Sequence, residues 1–113
     1  FLSQYQVKHR PDGLITLPDG QVIAVETERR LKTKARYQSI IASHLLARTQ
    51  KHWIYVFYIV PDLQKKRALE LLFGSIKHVI VNHQPIPLEA RHRNVFRIYT
   101  LDELRQLEPR QYS

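Results

Sequence analysis

The sequence predicts an α/β fold in which a mixed β-sheet is flanked by helices. Apolar runs of strand length alternate along the chain with segments whose apolar residues recur at helical spacing. The order strand–helix–strand implies parallel crossover connections of right-handed sense. A Pro-Asp-Gly turn at residues 18–20 instead joins the first two strands as an antiparallel hairpin.

Length and composition indicate a single domain spanning residues 1–113. Hydrophobic residues make up 43% and charged residues 25%, which are typical of a globular protein and argue against disorder. The absence of cysteine excludes a disulfide scaffold, a thiolate zinc site and a cysteine nucleophile. Because the chain contains no methionine, we expect it to be a fragment of a longer protein. The longest apolar run, residues 53–60, is too short to span a membrane, so the expected location is cytoplasmic.

The first half of the chain divides into strands and one helix. Residues 1–8 are a strand or the end of an earlier helix, 14–17 form a strand, and 21–28 form an interior strand that is apolar on both faces until its end. A helix over about 33–48 buries a stripe that includes His44, interpreted as a satisfied core histidine. Residues 53–60 are predicted to be a central strand covered on both faces.

The second half repeats the pattern with shorter elements. Asp62 is a candidate N-cap for a helix over about 63–77, and residues 78–81 form a short strand. Residues 82–94, which contain Pro85 and Pro87, are predicted to be an irregular basic connection. A last strand covers 95–100, and a capping box at Thr100 begins a helix that ends near residue 107.

Three acidic residues are candidates for a metal site. Glu26 and Glu28 lie two positions apart in a predicted strand, so their side chains share one face about 6.5 Å apart. Such carboxylates repel each other unless a cation lies between them or one is protonated. With Asp12 supplied by the neighbouring strand, three oxygen donors would converge, and this set suits Mg²⁺ or Mn²⁺.

Structural interpretations of the same residues remain open. Asp12 belongs to a Pro-Asp-Gly tripeptide, which is common in turns and occurs again at residues 18–20. The alternative to a metal site for Glu26 and Glu28 is a surface network of ion pairs with neighbouring cations. Tyr37 is more typical of the core than of catalysis, and His9 has metal, phosphate and solvent as alternative partners.

The charge distribution favours a polyanionic partner. The net charge is +8 and the pI is near 10.1, although a soluble domain that merely happens to be basic is the simpler alternative. Two clusters of lysine and arginine flank the candidate carboxylates, at residues 8–10 and 29–36. A phosphate backbone drawn towards acidic groups needs such surroundings, and this favours nucleic acid.

Pro11-Asp12 followed by Glu26-Thr27-Glu28 resembles the PD-(D/E)xK nuclease superfamily. The segments HRPDG and VETERRLKTKARY are most similar to the MobC-type mobilisation relaxase and plasmid replication–relaxation family. The resemblance implies a restriction-endonuclease-like fold, with Asp12 and Glu26 as metal ligands. Glu28 departs from the pattern, which has lysine at that position, and Lys32 or Lys34 is expected to supply the missing cation.

The resemblance implies a Mg²⁺- or Mn²⁺-dependent DNA endonuclease of the nickase or relaxase type, acting in plasmid mobilisation or replication. The implied catalytic residues are Asp12, Glu26, Glu28 and Lys32, of which the three acids hold the metal. The implied DNA contacts are Arg10, Arg29, Arg30, Lys34, Arg36 and Tyr37. Implied partners are a plasmid or mobile-element origin, further domains of the same protein, and accessory transfer proteins. The alternatives are a catalytically inactive nuclease-like fold that binds DNA or assembles with partners, and an RNA-binding domain that uses Tyr55 or Tyr58.

Overall fold

A computed structural model of the chain describes residues 9–106, and the strand or helix expected for residues 1–8 lies outside them. The strands are β1 (Gly13–Thr16), β2 (Val22–Thr27), β3 (Tyr55–Val60), β4 (His78–Val81), β5 (Gln84–Pro87) and β6 (Phe96–Thr100). The helices are α1 (Lys34–Thr49), α2 (Leu63–Ser75), α3 (Ala90–Arg93) and α4 (Leu101–Gln106). Within this part of the chain, no helix combines the length and apolarity needed to span a membrane.

Four strands form one mixed sheet in the order β1-β2-β3-β6. β1 pairs antiparallel with β2, and β2, β3 and β6 run parallel to one another. The hairpin turn between β1 and β2 lies where the sequence predicts it: the Leu17 amide donates to the Gln21 carbonyl over 2.7 Å, and Gly20 has a positive φ of 91°. The α/β class and the mixed sheet flanked by helices are confirmed.

Both crossover helices pack on the same face of the sheet. The chain moves in one direction, from β2 through β3 to β6, so two right-handed crossovers place α1 and α2 on one side. There Ala24, Val56 and Tyr58 form a core with the apolar stripe of α1 and with Leu69 of α2. The side chains of Glu26 and Glu28 lie on this face as well.

The prediction that β3 is covered on both faces is wrong for the described part of the chain. Its residues alternate between buried and half-buried, and Tyr55, Phe57 and Ile59 lie on the face away from the core. The physical reason is that both crossover helices, α1 and α2, lie on the same face of the sheet, so neither of them covers the opposite face. Aromatic contacts cover part of that face, because Phe57 packs edge-to-face on Tyr99 at a centroid distance of 5.1 Å.

The prediction of an irregular connection over residues 82–94 is also wrong. β5 pairs antiparallel with β4 to form a separate two-stranded sheet, and α3 follows it. Asn82 and His83 make the turn with positive φ angles of 52° and 65°. In a two-stranded sheet both strands are edges, so Pro85 and Pro87 are tolerated although neither has an amide hydrogen to donate.

Side-chain caps define the beginnings of α2 and α4. The Asp62 carboxylate accepts a hydrogen bond from the Lys65 amide over 2.8 Å, as predicted for an N-cap. At α4 the Glu103 amide donates to the Thr100 hydroxyl and the Thr100 amide donates to the Glu103 carboxylate, over 3.1 and 2.9 Å. The predicted capping box is therefore present.

Replacing Asp62 with alanine should lower the free energy of unfolding by about 1 kcal/mol, because the first turn of α2 loses its side-chain acceptor. Urea denaturation followed by far-UV circular dichroism measures this difference. Asp62→Asn keeps an acceptor oxygen and should stay close to the parent. Equal losses in the two variants would show that the cap itself contributes little.

Candidate functional site

The candidate site is built on the carboxyl end of β2. Side chains alternate along the strand, so Glu26 and Glu28 share the face that meets α1, while Thr27 is exposed. Both glutamates retain only 5% exposure. Buried carboxylates require compensating partners, and each of these two has a different set.

Glu26 is held by two histidines. Its Oε2 atom lies 2.5 Å from Nε2 of His9 and 2.8 Å from Nε2 of His44. His44 comes from α1 and is completely buried, whereas 26% of the His9 side chain is exposed. The second ring nitrogen of His44, Nδ1, is buried without a hydrogen-bond partner in the described part of the chain. Oε1 of Glu26 likewise makes no hydrogen bond within residues 9–106.

The two histidines determine the charge of Glu26. Burial alone would raise the pKa of its carboxyl group, but hydrogen bonds from His44 and His9 and their electrostatic attraction outweigh burial and lower the pKa to about 2. Burial lowers the pKa of His44, against the opposing effect of the Glu26 carboxylate. At neutral pH the cluster therefore contains an ionised Glu26 beside a neutral, buried His44.

Glu28 is held by a lysine and a tyrosine. Lys32 Nζ donates to Oε1 over 2.6 Å, and the Tyr37 hydroxyl donates to Oε2 over 2.7 Å. The Tyr37 oxygen also accepts from the backbone amide of Lys32 over 3.1 Å, which closes the network. Burial raises the pKa of Tyr37, and the charge of Glu28 adds to this effect, so the phenol keeps its proton. A protonated, fully buried phenol is a poor nucleophile, and its burial does not fit the predicted DNA contact.

Asp12 lies outside both networks. Its Oδ2 atom accepts hydrogen bonds from the backbone amide and the hydroxyl of Thr27, over 2.8 and 3.0 Å. The side chain of Asp12 is exposed. The expected meeting of three carboxylates therefore requires correction: Thr27, on the opposite face from Glu26 and Glu28, provides two donors that hold the carboxylate of Asp12.

Donor atoms instead converge around Glu26. His9, Glu26 and His44 each place one ligand atom within 4.8 Å of the others, and they are the one such group of three or more among residues 9–106. Mg²⁺ prefers all-oxygen coordination, so this set of two imidazole nitrogens and one carboxylate oxygen does not fit it. Of the two predicted ions, Mn²⁺ fits better, because transition ions accept imidazole nitrogen.

Exposed cations follow β2 and begin α1 at this end of the sheet. Lys32 differs from them, because it pairs with Glu28 and only 32% of its side chain is exposed. The predicted phosphate contacts that are exposed and form no ion pair with residues 9–106 are Arg10, Arg29, Arg30, Lys34 and Arg36. Unpaired cations lose no intramolecular interaction when they bind a phosphate.

The sequence indicates no ligand role for His44 and leaves His9 with several possible partners. His44 was correctly placed on the buried stripe of α1, and Glu26 was placed on an otherwise apolar strand. Each of these polar groups needs a partner inside the core, and that shared need was the available signal.

No family model, curated protein or solved structure matches this chain.

Proposed function

We propose that this domain is a metal-dependent DNA endonuclease of the nickase type, acting on plasmid or mobile-element DNA. The observation that carries the proposal is the presence of two buried carboxylates, Glu26 and Glu28, at one strand end beside exposed, unpaired cations. Buried carboxylates alone serve many structural purposes. Their position beside exposed lysine and arginine side chains, which can bind phosphate, is what favours cleavage of a phosphodiester.

DNA binding is assigned to the exposed cations at the end of β2 and the start of α1. Arg29 and Arg30 follow the strand directly, and Lys34 and Arg36 lie in the first turn of α1. No acidic residue occupies that first turn, so local repulsion of a phosphate is small. The net charge of +8 adds long-range attraction to the DNA backbone.

Cleavage is assigned to the glutamate pair and Lys32. Glu26 would hold a divalent ion, and this ion would supply Lewis-acid activation of the phosphodiester and of a water molecule. Glu26 stays ionised and offers Oε1, which has no hydrogen-bond partner within residues 9–106. Glu28 fixes the Lys32 ammonium group in place. To this cation we assign the stabilisation of negative charge that develops on a phosphate.

Glu26→Gln should reduce nicking of supercoiled plasmid at least about 100-fold while DNA affinity changes less than about threefold, because the amide keeps the volume but removes the charge. Gel electrophoresis of the plasmid and fluorescence anisotropy of a labelled duplex measure the two quantities. Glu103→Gln, which changes an acid paired with Lys66 elsewhere on the surface, is the matched control and should nick at the parental rate. Parental nicking by Glu26→Gln would refute the proposal.

Replacing Arg29 and Arg30 together with alanine should weaken DNA binding and make it less sensitive to salt. Each phosphate contact removed lowers the slope of log affinity against log salt concentration by about 0.9. Anisotropy titrations at several salt concentrations measure the slope. Replacing Arg91 and Arg105, which pair with acids elsewhere on the domain, should leave the slope unchanged. An unchanged slope in the Arg29/Arg30 double variant would remove these residues from the interface.

A non-cleaving DNA-binding module is the second candidate. Asp12 is held by Thr27, and Glu28 by Lys32 and Tyr37, so two of the three predicted acids have protein partners that replace a metal ion. The plasmid assay separates the candidates, since a binding module shows the salt-dependent affinity without nicking by the parent chain.

A further inference from the structure

We propose that His9, Glu26 and His44 form a binding site for a transition-metal ion of the Zn²⁺ class, with one coordination position open to solvent. This inference deepens the proposed function and rests on it, because it names the ion that would act on the phosphodiester. The all-acid Mg²⁺ site suggested by the sequence is replaced by a site that is rich in nitrogen.

The ligand set is the first support. Two imidazoles and one carboxylate are a donor set that zinc accepts in catalytic sites, where three protein ligands leave a fourth position for water or substrate. Here the three donors come from separate parts of the fold: His9 precedes β1, Glu26 lies on β2, and His44 lies on α1. An ion at this point would join these segments.

The spacing is the second support. Ligand atoms around tetrahedral Zn²⁺ lie about 3.3 Å apart, given metal–ligand bonds of about 2.0 Å. The imidazole nitrogens of His9 and His44 lie 2.5 and 2.8 Å from the shared oxygen of Glu26, and the three atoms lie within 4.8 Å of one another. The increase needed is about 0.8 Å for His9 and about 0.5 Å for His44. The larger of the two falls on His9, whose side chain is 26% exposed.

Burial determines where the open position lies. His44 is completely buried, and the rings of Trp53, Tyr58 and Phe96 pack around it edge-to-face at centroid distances of 5.7 to 6.5 Å. Its direction of approach is therefore fixed by packing. Water and substrate reach the cluster from the side of His9, whose side chain is 26% exposed. Three ligands, one of which is buried among aromatic rings, and one accessible side are features of a catalytic metal site rather than a closed structural one.

The test is metal binding by the full chain, purified without a polyhistidine tag and measured in the absence of DNA. Competition against a chromophoric chelator gives the Zn²⁺ affinity, and the visible absorption of bound Co²⁺ reports the coordination number. We expect one Zn²⁺ per chain, a four- or five-coordinate Co²⁺ spectrum, and no displacement by millimolar Mg²⁺. Absence of Zn²⁺ binding would overturn the inference.

Variants assign the ligands. His9→Gln and Glu26→Gln should each weaken Zn²⁺ binding at least about 100-fold, since each removes one of three ligands. His78→Gln, which changes an exposed histidine on β4, should bind as the parent does. Thermal unfolding of the metal-free chains shows whether each variant is folded, and Zn²⁺ should raise the midpoint for the parent and His78→Gln only. Undiminished binding by His9→Gln and Glu26→Gln would also overturn the inference.

Failure of this inference and failure of the proposed function are distinguishable. Zn²⁺ binding that depends on His9 and Glu26, without nicking by any metal-loaded form, supports the site and refutes the endonuclease. Nicking with Mg²⁺ that His9→Gln leaves unchanged, together with absence of Zn²⁺ binding by the parent, refutes the nitrogen-rich site and supports the endonuclease.

Discussion

Tyr37→Ala should lower the free energy of unfolding by about 5 kcal/mol, the largest stability effect that we expect from a single substitution in this domain. Tyr37 is completely buried, and its ring packs edge-to-face on Phe73 of α2 at a centroid distance of 5.4 Å. Removal of a buried aromatic ring costs about 3–5 kcal/mol. The lost hydroxyl leaves Glu28 with one partner fewer, which adds about 1–3 kcal/mol.

Tyr37→Phe separates the two contributions. It keeps the ring and removes the hydrogen bond to Glu28, so about 1–3 kcal/mol should be lost. Tyr99→Ala, on the half-buried opposite face of the sheet, is the matched control for loss of a tyrosine and should cost less than Tyr37→Ala. Urea denaturation of the four chains gives the free energies. A loss below about 2 kcal/mol in Tyr37→Ala would mean that α1 and α2 do not depend on this ring.

The secondary structure of this chain is largely readable from local signals. The helical spacing of Tyr37, Ile41 and His44 predicted the buried stripe of α1, and the structure buries all three. The alternation of β2 correctly predicted that Glu26 and Glu28 share a face. Both patterns follow from the residue period of a single helix or strand, and this period can be read directly from the sequence.

Features that depend on two distant segments were not readable. Pro-Asp-Gly at residues 11–13 is recognisable as turn chemistry, yet nothing local shows that Thr27, 15 positions later, donates two hydrogen bonds to the carboxylate of Asp12. The one-sided burial of β3 follows from the path of two crossovers and not from its own residues. Pro85 and Pro87 prevented the prediction of β5, since proline argues against a strand except at an edge.

The two glutamates, two positions apart, illustrate how the core assigns different roles to identical side chains. Glu28 is bound by Lys32 and by a tyrosine that stays protonated, so its negative charge is neutralised by a fixed partner within the protein. Glu26 is bound by imidazoles, which exchange protons and bind metal ions through the same nitrogen atoms. Of the two, Glu26 is therefore the residue whose environment we expect to change with pH and, at the proposed site, with metal concentration.

Metal-free protein should lose about 3 kcal/mol of stability through Glu26 when the pH falls from about 5 towards 2. The pKa of Glu26 is about 2 in the folded chain, against an ordinary value of 4.5, so the unfolded chain binds the proton more tightly. The stabilisation is complete above the unfolded value and disappears as the pH falls through the folded one. The pKa difference corresponds to roughly 3 kcal/mol, and 7% side-chain exposure leaves little solvent screening.

Chemical denaturation at intervals between pH 5 and 3 in the presence of a chelator measures this loss, and Glu26→Gln isolates it. The variant has no carboxyl group to titrate at this position, so its stability should fall less steeply over the same interval. His44 also favours loss of stability on acidification, because burial lowers its pKa, and that contribution begins nearer pH 6.5. Glu26→Gln increases it, because the variant lacks the carboxylate that raises the pKa of His44, so the difference between the two curves understates the contribution of Glu26. Glu70→Gln, which removes an exposed acid on α2, should keep the steep decline of the parent. Parallel curves for the parent and Glu26→Gln would mean that the two histidines do not hold the carboxylate in its charged form.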